Sequence, residues 1–484
     1  MVRNSYHWSC IKRGEIDMNY NGKKAENVKI AYIGGGSRGW AWGLMSDLVA
    51  CEDMSGRVDL YDIDYEAAYH NEIIGNKYNL VDGAKTHWDY KAVNTIDEAL
   101  DGANFVVISI LPGTFDEMES DVHAPEKYGI YQSVGDSSGP GGIVRALRTV
   151  PMFEEIAEAV KRNCPDAWVI NYTNPMTLCV KTLYRVFPEI KAFGCCHEVF
   201  GTQNFMRQVL EETRGIKVED RKEIKTNVTG VNHFTWLTSA KYRNVDVFDA
   251  YREYIEKHQE TGAKEQADKN WMNNSFTCRE SVKMDLFSRY GYIAAAGDRH
   301  LSEFCEGTWY LRNPECVTDW KFALTSVAWR KEDLQRRLNE SAQMISGEKK
   351  IEIQNTGEEG VEQMRALLGL TDLVTNVNIP NKGQIPNLPL GAVVETNAVF
   401  RADSLVPVLA GNIPDTIYPL IARICGEQEI VSRACEERDL ELAFSAFCND
   451  PLVTISHNQA RKLFKEMLEN TAKYLTMYDI ASFK

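Results

Sequence analysis

The sequence predicts an α/β protein in which a doubly wound parallel sheet is followed by a mixed α+β region. Two observations carry this expectation. From Val28 onward, apolar runs of strand length alternate with helical patterns. A glycine-rich turn, Gly34-Gly35-Gly36-Ser37-Arg38-Gly39, falls between the first strand and the first helix. At 484 residues the chain exceeds a single ordinary domain of about 150 residues and has room for two or three.

The elements follow in order. VKIAYI from Val28 is a strand, WAWGLMSDLVA from Trp40 a helix, VDLYDID from Val58 a second strand, and Tyr65 to Leu80 a second helix. Runs at Ala103 to Leu111 and Ala167 to Tyr172, separated by a helical pattern from Pro151 to Arg162, continue the alternation to about residue 200. Near-continuous apolar strands joined by helices imply a sheet buried on both faces, the Rossmann-type arrangement. Lys225 to Tyr242 reads as a strand pair, Phe248 to about Arg289 as charge-rich helix, and Thr371 to Val399 as extended strands punctuated by Pro and Gly. From Ile413 the chain is mostly amphipathic helix. The expected division is an extension over 1–26, a nucleotide-binding domain over 27–224, and a mixed domain over 225–484 that contributes substrate, metal and oligomer contacts.

Composition narrows the function classes. Hydrophobic residues at 44%, charged at 25% and aromatic at 10% describe a globular protein. The longest apolar windows are about half the roughly 20 residues of a membrane span, so no membrane role is expected. With 54 Lys and Arg against 69 Asp and Glu, the net charge of −15 repels phosphate backbones, and no nucleic-acid partner is expected. Twelve cysteines lie scattered without a repeated Cys-x-x-Cys, which fits a reducing compartment. The polar Met1 to Glu26 has no signal-like apolar segment and reads as a loose extension, with Met18 nearer a natural start. The expected location is the cytoplasm.

The glycine turn is G-x-G-x-x-G after a strand and at the opening of a helix, where glycines admit a pyrophosphate and the helix N-terminus supplies donors. Asp62 ends the second strand 23 residues after Gly39. An acid there accepts from ribose hydroxyls and disfavours a 2′-phosphate, so Gly34, Gly35, Gly36, Ser37, Arg38, Gly39 and Asp62 are expected to bind NAD rather than NADP. The bland alternative is an ordinary glycine turn. A second constellation is Cys195-Cys196-His197-Glu198 with Asn232-His233. A thiolate and an imidazole from two strand ends can hold a divalent metal with open positions, and only one of two adjacent strand cysteines can face the site. Taken alone, a buried thiol and a structural histidine explain these residues better than a metal does. Three further clusters are Asp136 to Gly142 with Arg145 and Arg148, Asn171 to Pro175, and Arg289 to Phe304. The first two fall where strands end and ligands bind in open α/β sheets, although the same residues also make ordinary turns. The third packs Asp, Arg, His and Tyr among small residues, and is as consistent with a solvated loop.

Together the IGGGS turn, YDID, GPGG, NYTNP, GCCHE, GVNHFTW and the late IPNLPLGAVVETNA resemble glycoside hydrolase family 4, over the span from about Val28 to the C-terminal region. The resemblance implies a lactate/malate dehydrogenase-like fold and NAD- and manganese-dependent glycosidase activity. This chemistry stands apart from the two-carboxylate scheme. It implies oxidation at sugar carbon 3, loss of the carbon-2 proton, elimination of the aglycone, water addition and return of hydride, with another divalent metal able to replace Mn2+. The family's metal cysteine falls on Cys196 and its histidine on His233; its sugar-contacting asparagine falls on Asn174. His197 follows Cys196 where the phospho-glucosidase branch has Asp, so the chain is similar to the branch acting on unphosphorylated α-galacturonides, α-glucosides and α-galactosides.

That resemblance places Asp298 as the base, His197 or Asp136 near the leaving oxygen, and Tyr292 in reserve. It places Asn174, Asp136, Arg145 and Arg299 on the substrate, a small oligosaccharide or glycoside. The stretch from Gly291 to Phe304 is most similar to α-galacturonidase members, where Arg299 can pair with a uronate carboxylate. Neutral α-glucosides and α-galactosides are the runners-up. In another class stands an NAD-dependent 2-hydroxy-acid dehydrogenase, and a non-catalytic NAD sensor is a third reading. Analogy within the family suggests a homodimer or homotetramer.

Overall fold

The computed structural model describes residues 18–264, 276–354 and 356–483. Its strands are β1 Asn19–Asn21, β2 Lys24–Ile33, β3 Met54–Tyr61, β4 Trp88–Ala92, β5 Phe105–Ile108, β6 Trp168–Asn171, β7 Lys191–Gly194, β8 Ile224–Val231, β9 Phe234–Tyr242, β10 Val245–Asp246, β11 Ile293–Ala294, β12 Leu373–Pro380, β13 Val393–Arg401 and β14 Ser404–Pro407. The large sheet runs β14-β13-β12-β7-β6-β5-β2-β3-β4, with β1 on β2. The six strands from β4 to β7 in this row pair in parallel. Strand order reverses at β2, which lies between β3 and β5, and ligands bind at such a switch point beyond the carboxyl ends of the strands.

Alternate residues of β2 explain why its sequence is apolar without a break. Val28, Ile30 and Tyr32 join one core cluster with the helix Trp40–Ala50, while Ala31 and Ile33 join another with the helix Gly139–Asn163. Both faces of the sheet are therefore covered.

Most of the expected elements form, but among the described residues the charge-rich helix expected over Phe248 to about Arg289 is two helices, Val247–His258 and Ser281–Tyr290. Pro151 to Arg162 is only the second half of a 25-residue helix, Gly139–Asn163, whose first turn is Gly139-Pro140-Gly141-Gly142. What reads in sequence as a turn is a helix start, where a proline early in the first turn is compatible because its missing N–H has no helical partner to lose. Segment 225–484 also does not stand apart. Strand β12 pairs antiparallel with β7 through Asn378 and Gly194, so β12, β13 and β14 extend the parallel sheet. A small second sheet is built on β9, which pairs with β8, β10 and β11. Of the expected extension over 1–26, residues 1–17 lie outside the described residues, and the rest is not loose: Asn19–Asn21 form β1, paired antiparallel with the start of β2 at Lys24. Among the described residues no helix is long and apolar enough to cross a membrane.

The start of Gly139–Asn163 is anchored by a buried carboxyl pair. The Gly139 N–H donates to Asp450 Oδ2 at 2.8 Å and the Leu452 N–H to Asp450 Oδ1 at 2.8 Å. Glu427 lies beside Asp450, and burial together with the Asp450 charge pushes its carboxyl well above the ordinary range. The folded protein thus keeps a proton that the unfolded chain releases near pH 4.3. Stability is complete below that pH and falls by about 1.4 kcal/mol per pH unit as pH rises toward the folded pKa. Glu427→Gln removes this contribution, so denaturant midpoints measured between about pH 5 and 8 should fall less steeply than in the wild type. Parallel curves would contradict the assignment.

Candidate active site

A cleft of about 1380 Å³ runs across the switch point. One end is lined by Gly34, Gly36, Ser37, Arg38, Gly39 and Asp62, the other by Asp136, Asn174, Cys196, His197, His233 and His300. The glycine turn is tight because its neighbours leave no room: a Cβ on Gly36 would lie 2.6 Å from the Ala67 Cβ. Asp62 Oδ2 accepts from the Gly36 N–H at 2.9 Å and Oδ1 from the Asp64 N–H at 3.0 Å. Each oxygen keeps a second lone pair for a ligand hydroxyl. Burial raises the Asp62 carboxyl above its ordinary value. Arg337, from the helix Val327–Ser346, donates through Nη1 to the Arg38 carbonyl at 2.7 Å and so ties that helix to the turn.

At the other end, the β8–β9 turn presents His233, held at φ +63 and buried. His233 Nδ1 lies 3.1 Å from Ser137 Oγ and 4.0 Å from Asp136 Oδ1. Ser137 gives its hydroxyl proton to Asp136 Oδ1 at 2.7 Å, so a neutral His233 donates to Ser137 from Nδ1 and keeps the Nε2 lone pair for a ligand. The rings of His233 and His300 are 3.9 Å apart, and Asp136, His233 and His300 can each bring one ligand atom within 4.8 Å of the others. Burial and the facing His300 depress His233 to about 3, and burial lowers His300. Burial opposes ionisation of Asp136, but His233, His300 and Arg145 outweigh it and hold the carboxyl well below its usual range.

The loop after β7 brings both Cys195 and Cys196 to the cleft lining, against the expectation that only one would face it, but gives them different partners. Cys195 donates to Gln363 Oε1 at 2.9 Å, whereas the Cys196 side chain is hydrogen-bonded to Asn232, the neighbour of His233. Burial and the charges of Glu395 and Glu198 push the Cys196 thiol well up, so its proton leaves only when a cation is at hand. His197 Nδ1 lies 3.1 Å from Glu358 Oε1, and its Nε2 3.8 Å from Glu198 Oε1. Burial alone would lower its pKa; these carboxylates reverse the effect and raise it to about 9. Glu198 is lowered to about 2, where burial is outweighed by His300 and His197. Its Oε2 accepts from the Gly297 N–H at 2.7 Å, and its Oε1 lies 3.7 Å from His300 Nε2. Asn174 donates to Asp136 Oδ2 at 3.1 Å, and Arg145 Nε donates to the Asn174 carbonyl at 3.1 Å.

The structure therefore brings together the glycine turn, Asp62, Asp136, Arg145, Asn174, Cys196, His197, His233 and Arg299. It does not bring Asp298 or Tyr292 to the cleft. Asp298 is fully buried, accepts from the Lys283 N–H at 3.0 Å, and sits with Cys278, Glu280 and Lys283, which form an ion pair of 2.6 Å between Lys283 and Glu280. Tyr292 packs on the C-terminal core. In the short helix Asp298–Leu301 each residue turns by 100°, so Asp298 and His300 point apart. Sequence reasoning singled out this stretch but chose Asp298 over His300, and it missed Glu198, Glu358 and Arg330. Glu198, beside His197, was within reach of a reading that asks what orients each histidine.

The residues present fit a dinucleotide and a divalent metal. Three buried polar atoms lining or bordering the cleft have no hydrogen-bond partner: His300 Nδ1, Asn174 Oδ1 and Asn232 Oδ1. A soft thiol, an imidazole and a carboxylate form a donor set suited to a first-row metal.

Fold and site together define a nucleotide-cleft α/β enzyme with a metal-competent donor group at its switch point. The chain belongs to the family 4 glycosyl hydrolases: the family sequence profile matches residues 29–212 and that of its C-terminal domain residues 228–453. The alpha-galacturonidase of Thermoanaerobacterium saccharolyticum is 62% identical over 463 residues, covering 96% of this chain and 100% of that protein. The Bacillus subtilis alpha-galacturonidase is 50% identical over 444 residues, 92% of this chain and 97% of the relative. The crystal structure of the Bacillus subtilis protein lplD matches with a TM-score of 0.87 at 50% identity, over 92% of this chain and 100% of that one. The expected family and glycosidase class are borne out.

Proposed function

We propose that the chain is an α-galacturonidase that uses NAD and a divalent metal, Mn2+ first. The reading is carried by the convergence of Cys196, His233, Asp136 and His300 on one cleft with the glycine turn. The identity of relatives named alpha-galacturonidase, at 50% to 62% over nearly their whole length, supports the substrate class. His233 and Asp136, whose ligand atoms lie within 4.8 Å of one another and of His300, would hold the metal, with Cys196 lining the same cleft as the thiol donor. When bound, NAD supplies a hydride acceptor and the metal a Lewis acid.

The chain's own residues do the rest. Asn174 offers its unpartnered Oδ1 to a sugar hydroxyl, and Arg145 fixes Asn174 from behind. His300 accepts the carbon-2 proton with Glu198 beside its Nε2. His197, kept cationic by Glu358 and Glu198, donates a proton to the leaving oxygen. Arg299 faces the uronate carboxylate.

Hydrolysis of digalacturonic acid, with NAD, Mn2+ and a thiol reductant each supplied or withheld, tests this reading. The expected result is cleavage that requires NAD and metal, with no net NADH and with deuterium entering at carbon 2. Steady NADH formation from a hydroxy acid without glycoside cleavage would instead place the protein among the dehydrogenases.

A further inference from the structure

The cleft is lined by two guanidinium groups, the buried Arg299 and the half-buried Arg330, that form no ion pair within 4.0 Å among the described residues. Arg299 is 8% exposed; it donates through Nη2 to Thr325 Oγ1 and to the Ser133 carbonyl at 3.4 Å, and its Cζ stands 3.9 Å over the Phe276 ring. Arg330 comes from the first turn of the helix Val327–Ser346. Both line the cleft, and the Nε of each is buried without a hydrogen-bond partner. Two cations without a contacting acid in one cleft are costly unless an anion joins them, the Asp136 and Asp333 charges acting on Arg330 only from beyond ion-pair distance. Burial and the Arg330 charge depress Arg299 to about 10, against the opposing pull of Glu198 and Glu303.

The position of the pair decides which anion. Arg299 is the neighbour of His300, at the reacting end of the cleft. The glycine turn lies further along the helix Val327–Ser346, where Arg337 meets the Arg38 carbonyl. Seven residues of helix separate Arg330 from Arg337, about 10 Å of rise, so Arg330 is removed from the pyrophosphate end. In a galacturonide the carboxylate is borne on carbon 5, across the ring from carbons 2 and 3. A sugar with its carbon-2 and carbon-3 edge toward His233 and His300 can therefore reach a separate cationic subsite with its carboxylate.

We propose that Arg330 is the second arm of a two-arginine clamp, with Arg299, that binds the carbon-6 carboxylate and selects uronides over neutral galactosides. The inference rests on the α-galacturonidase reading and adds a specificity-determining residue to it. Planar guanidinium forks match a planar carboxylate, and Thr325 and Phe276 hold Arg299 in place for it.

The test uses the full chain with NAD and Mn2+, comparing the 4-nitrophenyl α-glycosides of galacturonate, galactose and galactose 6-phosphate. Arg330→Gln should lower the uronide-to-galactoside ratio of kcat/KM by about 50-fold, chiefly through KM for the uronide. Arg330→Lys, which keeps the charge and loses the fork, should lower it by about tenfold and serves if the glutamine variant does not fold. The NAD dissociation constant should stay within about twofold in both variants, because the clamp lies away from the pyrophosphate end. A ratio that stays at the wild-type value, or a loss of NAD affinity that parallels the loss of turnover, overturns the clamp while leaving the galacturonidase reading intact. A wild-type enzyme that prefers galactose or galactose 6-phosphate overturns that reading, and the carboxylate clamp with it.

Discussion

His233→Asn is expected to reduce glycoside hydrolysis by about a thousandfold while the protein stays folded. Asparagine is chosen because position 233 sits at φ +63, a left-handed conformation that asparagine tolerates better than most residues. The variant loses the imidazole that stands between Ser137, Asp136 and His300, and with it a nitrogen lone pair that the amide cannot replace. Mn2+ affinity, followed by metal titration, should fall in step with turnover, whereas the thermal midpoint and the NAD dissociation constant should stay near the wild type. A variant within tenfold of wild-type activity would remove His233 from the metal set. Loss of NAD binding together with metal binding would mean that the turn had collapsed.

Gly34→Val is expected to cost about 4 kcal/mol of stability and to abolish NAD binding. Gly34 has φ +90, and a Cβ there would stand 2.1 Å from the Ser109 carbonyl oxygen. That oxygen belongs to backbone leading out of β5, which cannot yield without disturbing the parallel pairing of β2 with β5. A β-branched side chain adds its own penalty at positive φ. The control is Gly291→Asn: φ there is +77, but nothing lies within 4 Å of an added Cβ, so the denaturant midpoint should change little. Equal losses in the two variants would show that backbone conformation alone, and not close approach to Ser109, makes Gly34 necessary.

Much of the fold was legible because the signals were local. The apolar runs of β2, β3, β5 and β6, the glycine turn and Asp62 each occupy a short window in which period and residue type decide the outcome. The pairing of β12 with β7 was not legible, since it joins residues nearly 200 positions apart and no local pattern specifies which edge a late hairpin will extend. The site divided in the same way. Cys196, His233 and Asn174 stand in motifs that their own neighbours define, whereas strand alternation left open which of Cys195 and Cys196 serves the site, and both line the cleft with different partners. Asp298 failed as a cleft residue because the orientation of a four-residue helix is set by what packs on it: Lys283 and Glu280 on one side, the histidine pair on the other.

The sequence by itself determined the doubly wound core, the nucleotide turn and the family, because strand period, glycine placement and motif order are properties of neighbouring residues. Only the tertiary structure decided which of Asp298, Arg299 and His300 face the cleft, that Glu198 and Glu358 sit against His197, and that Arg330 comes to lie in the same cleft as Arg299. Those facts depend on burial and on charges brought together from distant segments, and neither exists until the chain has folded.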